Sequence, residues 1–128
     1  MSTSILTSVK KGIGGIIEEN EAFDPELIMH INGVLATLTQ LGVGPDAGFQ
    51  ITEKSAKWED FVGDDPRLNF IQSYVTVSVK LIFDPPTIGA VYNAYESRKS
   101  ELEYRILAQA AYKPDKEENQ NGSSQLQG

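Results

Sequence analysis

Residues 73–87 read SYVTVSVKLIFDPPT, and no other stretch constrains the fold as strongly. Val75, Val77, Val79 and Leu81 alternate with Thr76, Ser78 and Lys80, the period-two pattern of a half-buried strand. Counted from just upstream, Ile71, Val75, Val79 and Ile82 fall at helical spacing. Two observations favour the helix. DDPRL, just upstream, carries a start signal, with Asp65 placed to cap and Pro66 suited to the first helical position. No second segment alternates convincingly, so a lone strand would leave its backbone groups without a ladder partner. A helix begun at Pro66 carries one stripe of Leu68, Ile71, Val75, Val79 and Ile82, and a second of Phe70, Tyr74, Val77 and Leu81. Apolar on most sides, it is expected to be central and largely buried, although its valines lower helix propensity.

The other elements follow from the same signals. A short helix is expected over about 4–17, with Ile5, Leu6, Val9, Ile13 and Ile16 inward and Gly12, Gly14 and Gly15 weakening its second half. FDPEL opens a helix over 25–41, with Asp24 as cap, Pro25 first, and Leu27, Ile31, Val34, Leu38 and Leu41 as its stripe. Gly42 fits the left-handed position after it. Residues 42–57 form a long loop, anchored by Phe49 and Ile51, and long loops in compact domains tend to carry contacts. SAKWEDFVG reads as one short helix capped by Ser55, with Trp58 in the core and Gly63 as its stop. After the proline corner a last helix is expected over 86–111, with Ile88, Val91, Tyr95, Leu102 and Ile106 inward and a Glu101–Arg105 pair outside. From Lys113 the polar composition cannot form a core. The expectation is therefore an all-α fold: a small bundle of four to five helices over 1–112, a long inter-helix loop, and an extended tail over 113–128.

Charge and composition narrow the function. The chain has 128 residues, 18 acidic against 11 basic, for a net charge of −7. A protein that grips DNA usually carries a basic stripe, because neutralising phosphates supplies affinity. Here the densest charged run is acidic: Glu18, Glu19, Glu21, Asp24 and Glu26. The absence of cysteine removes disulfides, thiolate metal sites and cysteine nucleophiles together. Lys10 and Lys11 follow rather than precede the first apolar residues, the reverse of an export signal, and no run approaches the ~20 apolar residues of a membrane helix.

Catalytic constellations are missing. His30 is the single histidine and is expected at a helix boundary rather than in a relay. GIGG lacks the ending of a phosphate loop, no nucleophile elbow occurs, and the acids at helix starts are explained by capping. No enzyme activity and no cofactor are expected. A binding or assembly module remains.

The phrases IMHINGVLATLTQLGVGP, GFQIT, WEDFVGD and YVTVSVKLIFDPPT, followed by ELEYRI, resemble the head-tail connector (adaptor) proteins of long-tailed bacteriophages. The resemblance runs from about Phe23 to Arg105. It implies a helical subunit that forms a homo-oligomeric ring beneath the portal protein in the virion neck, after synthesis in the host cytoplasm. Such a ring extends the DNA channel without specific DNA binding and offers a platform to a stopper or tail-completion protein. The resemblance further implies that the tail reaches the portal, here through Lys113, Pro114, Asp115, Ser123, Ser124, Gln125 and the apolar anchor Leu126. The loop residues Val43, Pro45, Asp46 and Phe49 are expected to meet a neighbouring subunit or the next component. Some of Glu18, Glu19, Glu21, Asp46, Asp64 and Asp65 are expected to face the channel, where acidic walls let DNA slide. Two other readings compete: a stopper or tail-completion protein, which would be β-rich, and a small helical regulator.

Overall fold

A computed structural model describes residues 3–15 and 19–110. Five helices follow in order: α1 (Ile5–Ile13), α2 (Asp24–Gln40), α3 (Trp58–Val62), α4 (Leu68–Phe83) and α5 (Gly89–Ala110). Among the described residues there is no named strand, only an isolated bridge between Ser4 and Lys57. The valine alternation of residues 73–87 thus lies on a helix. α1, α2 and α5 all pack on α4. Ile71, Tyr74, Val75 and Val79 are buried and Val77 and Leu81 half-buried, because helices cover α4 on several sides. Burying each such aliphatic side chain contributes about 1.5–3 kcal/mol.

α1 starts where Ser4 Oγ accepts the Thr7 N–H at 3.1 Å, and it stops at Ile13 because Gly14 turns to φ 74°. The helix is shorter than the expected 4–17; Ile16 and Ile17 lie outside the described residues. Lys10, only 3% exposed, donates to the Asn20 carbonyl at 2.9 Å and to Asp24 Oδ1 at 2.8 Å. Asp24 is therefore not the cap of α2. Phe23 holds that position without a side-chain bond, Asp24 is the first helical residue, and Pro25 is the second. A buried ammonium needs a carboxylate more than a helix end needs a cap, since the unpaired charge is the costlier loss. The far end of α2 follows expectation. Gly42 sits at φ 89°, its N–H donates to Thr39 O, and the Val43 N–H donates to Leu38 O at 2.9 Å. This is a Schellman stop, with Val43 and Leu38 both buried in the core.

The 42–57 loop passes through several turns and is tied down at several points. The Asn32 side-chain amide donates to Ile51 O and accepts its N–H, at 3.0 and 2.8 Å, so it stands in for a paired strand. The Phe49 ring lies against Phe61, centroids 5.3 Å apart. Ile5 N–H and Trp58 N–H bond to Ala56 O and Thr3 O across the Ser4–Lys57 bridge. Trp58 is fully buried, and its indole N–H donates to Ser8 Oγ at 2.9 Å. Ser55 does not cap α3: its hydroxyl donates to Glu53, while the Lys57 N–H donates to Asp60. Gly63, at φ 61°, ends α3 as expected.

α4 begins two residues later than expected, after Arg67. Asp65 does not cap it. Its carboxylate accepts from the Arg67 backbone, Nε and Nη2 at 2.7–2.9 Å, and Arg67 is 1% exposed. The same guanidinium donates to Ile106 O at 3.4 Å, joining the start of α4 to the last turns of α5. At the other end Asp84 closes α4 through its N–H to Lys80 O, and Pro85 and Pro86 form the corner. α5 starts at Gly89, beyond the expected Pro86. Leu102 and Ile106 are buried and Tyr95 half-buried, but Ile88 and Val91 are 64% and 40% exposed. They are not core residues, because α4 stops at Phe83 and leaves that end of α5 uncovered.

Candidate assembly surfaces

Three surfaces stand out once the bundle is built. The first is a groove of about 320 Å³ over α4. Gly12 of α1 forms one wall, Thr76, Val77 and Lys80 the floor, and Ala94, Tyr95 and Arg98 of α5 the other wall. It runs into a second hollow over Gln72 and Ser73. Gly12 belongs there sterically: a Cβ at that position would collide with the Thr76 methyl, so glycine lets α1 approach α4. The lining is mostly apolar, with the cations of Lys80 and Arg98 at its rim. Each is paired along its own chain, Lys80 with Asp84 at 3.0 Å and Arg98 with Glu101 at 3.2 Å.

The second surface is the outer face of α2. Leu27, Ile31, Val34, Leu35 and Leu38 face inward, which turns Glu26, Met29, Gly33, Ala36 and Thr37 outward. Met29 is 63% exposed, and a Cβ added at Gly33 would meet nothing within 4 Å beyond its own helix backbone and chain neighbours. Beside this face, Phe23 packs edge-on to Phe83. His30 lies between Phe83 and Glu26 Oε2, the latter at 3.5 Å, a boundary position as expected.

The third surface is the free side of α5 with the hollow lined by Phe70, Tyr104, Arg105, Ala108 and Gln109. Arg105 stands 5.7 Å from the Phe70 ring centroid and donates twice to Glu101 at 3.1 Å. The Arg105 guanidinium, with Arg98 on the other side, holds the Glu101 carboxyl below its ordinary value. Burial pushes the Tyr74 phenol up, and the Glu103 carboxylate adds to it.

The residues expected from sequence divide across these surfaces. In the loop, Pro45 and Asp46 are exposed and Phe49 is half-buried against Phe61. Val43 is fully buried as the apolar half of the Schellman stop, so it offers no contact surface. Glu19, Glu21 and Asp64 are exposed. Asp65 is not available to a channel wall, because Arg67 holds its carboxylate inside. Glu18 and the tail residues Lys113, Pro114, Asp115, Ser123, Ser124, Gln125 and Leu126 lie outside the described residues. Sequence reasoning missed the groove, the outer face of α2 and the buried Arg67. Gly12, Gly33 and Ala36 were the available signal, since small residues inside helices mark close approach.

Among the described residues, no three His, Cys, Asp or Glu side chains gather into a group able to hold a metal. No helix among them is long and apolar enough to cross a membrane. A family model described as "Phage connector protein" matches residues 5–113. The chain belongs to that family. The match spans all five helices of the described residues. Phage connectors are structural components. Neither a curated protein nor a solved structure matches this connector.

Proposed function

We propose that this connector forms a homo-oligomeric ring beneath the portal protein in the virion neck. The ring extends the DNA channel and presents the docking platform for a stopper or tail-completion protein. The family match over residues 5–113 carries this reading. In it, residues 1–112 are the bundle and residues 113–128 the attachment to the portal, with Leu126 as the apolar anchor. Exposed acids, drawn from Asp46, Asp64 and those of Glu19 and Glu21 not taken up between subunits, line the channel, where like charge keeps passing DNA from adhering. Pro45 and Asp46, at the exposed turn of the loop, meet the next component or the neighbouring subunit. The subunit is made in the host cytoplasm and carries no cofactor.

Electron microscopy of the purified protein mixed with its portal tests the proposal. A ring stacked coaxially on the narrow end of the portal is the expected image. Removal of residues 113–128 is expected to abolish that stacking; unchanged portal binding by the truncated chain would refute the role given to the tail.

A further inference from the structure

A closed ring of identical subunits needs two different patches that fit each other, one on each side of the subunit. We infer that the groove over α4 is one patch and that the outer face of α2 from the adjacent copy is its occupant. This rests on the ring reading and says which surfaces meet.

Placement supports it first. The groove is lined from α1, α4 and α5 and by no residue of α2. The groove opens over Thr76, Val77 and Lys80, whereas α2 packs against α4 with Phe23 and His30 reaching Phe83. The outer face of α2, opposite its buried stripe, shares no residue with the groove, so the two are separate patches, as a head-to-tail contact requires.

Shape comes second. Met29, Gly33 and Ala36 are spaced i, i+4, i+7 on one face of a helix, the spacing by which helices seat in grooves. Gly33 is helical, and a Cβ added there would meet nothing within 4 Å beyond its own helix backbone and chain neighbours, so its lack of a side chain brings the fold no packing and weakens α2. A neighbouring backbone lying close over it supplies a use for that glycine. The groove offers a matching apolar bed in Val77, Ala94 and Tyr95, widened by the absence of a side chain at Gly12.

Charge comes third. Each copy carries −7, so copies repel unless their contact sets unlike charges together. Glu26 lies on the outer face of α2, and Glu19 and Glu21 lie on the turn before it. Lys10 fixes that turn by holding both the Asn20 carbonyl and Asp24. The groove presents Lys80 and Arg98. Their pairs with Asp84 and Glu101 are partly solvent-exposed, and such pairs exchange partners at little cost.

The test uses the full-length chain, alone and with its portal, followed by sedimentation velocity and electron microscopy. Lys80→Glu with Arg98→Glu is expected to weaken self-association by about tenfold or more, since like charges then face each other. Glu21→Lys with Glu26→Lys is expected to do the same. The chain carrying all four substitutions is expected to regain self-association, a rescue that misfolding cannot produce. Gly33→Gln is expected to raise the melting temperature while weakening assembly. If the wild type forms rings and the groove reversals or Gly33→Gln leave them intact, this contact is wrong and the ring stands. If the wild type forms no ring even on the portal, both readings fall.

Discussion

α4 and α5 are the two long helices of the second half of the chain, and they do different jobs. α4 is apolar on most sides and touches α1, α2 and α5. α5 is longer, mostly polar, and packs chiefly on α4 through Tyr95, Leu102 and Ile106. One helix is consumed by the fold; the other uses a single seam and leaves its flanks to solvent. A residue's cost on substitution should therefore depend on which helix carries it more than on its size.

The sharpest way to break that contrast is at Arg67, where the two helices are joined. Arg67→Ala is expected to cost about 3–5 kcal/mol in chemical denaturation, because it breaks a buried ion pair and the bond to the Ile106 carbonyl. A loss below 1 kcal/mol would mean the join is ornamental. Next, Ile71→Ala on the buried face of α4 is expected to cost about 2–5 kcal/mol by the same measurement. Gly12→Ala probes the close approach of α1 to α4. Despite a better helix former, it is expected to lower stability by about 1–3 kcal/mol, since the new methyl meets Thr76. On the free flank of α5, Tyr104→Ala is expected to stay within about 0.5 kcal/mol of the parent. The smallest effect belongs to Glu101→Gln. Arg105 and Arg98 depress the Glu101 carboxyl in the folded chain, so its contribution is present above the ordinary carboxylate range and fades as acid protonates it. A pH series of melting temperatures for parent and variant should converge at low pH; divergence there would reverse the sign.

Much of this was legible in the sequence, and the misses share a cause. Hydrophobic spacing located all five helices, and Gly42 and Gly63 marked two helix ends, because both signals act within a few residues. Asp24, Ser55 and Asp65 all carried capping chemistry, and none caps. Asp24 and Asp65 are claimed by Lys10 and Arg67, and Ser55 turns to Glu53. Local preference yields where a buried cation demands a partner. Ile88 and Val91 continue the apolar face of α5 correctly, but spacing does not reveal that α4 stops short beneath them. The same limit hid the groove, whose lining comes from residues 12, 76, 77, 80, 94, 95 and 98. The valine alternation misleads because a helix covered on several sides loses the polar half of its pattern.

The hydrogen bond from Trp58 to Ser8 has a practical consequence. Trp58 is the chain's one tryptophan, and its ring is sealed between the first helix and the end of the long loop. Its emission is thus an intrinsic gauge of whether the amino-terminal helix is seated. A shift to longer wavelength with the helical signal intact would report that this helix had lifted away while the rest of the bundle held. No dye or added label is needed to watch the subunit loosen or tighten as it joins a larger particle.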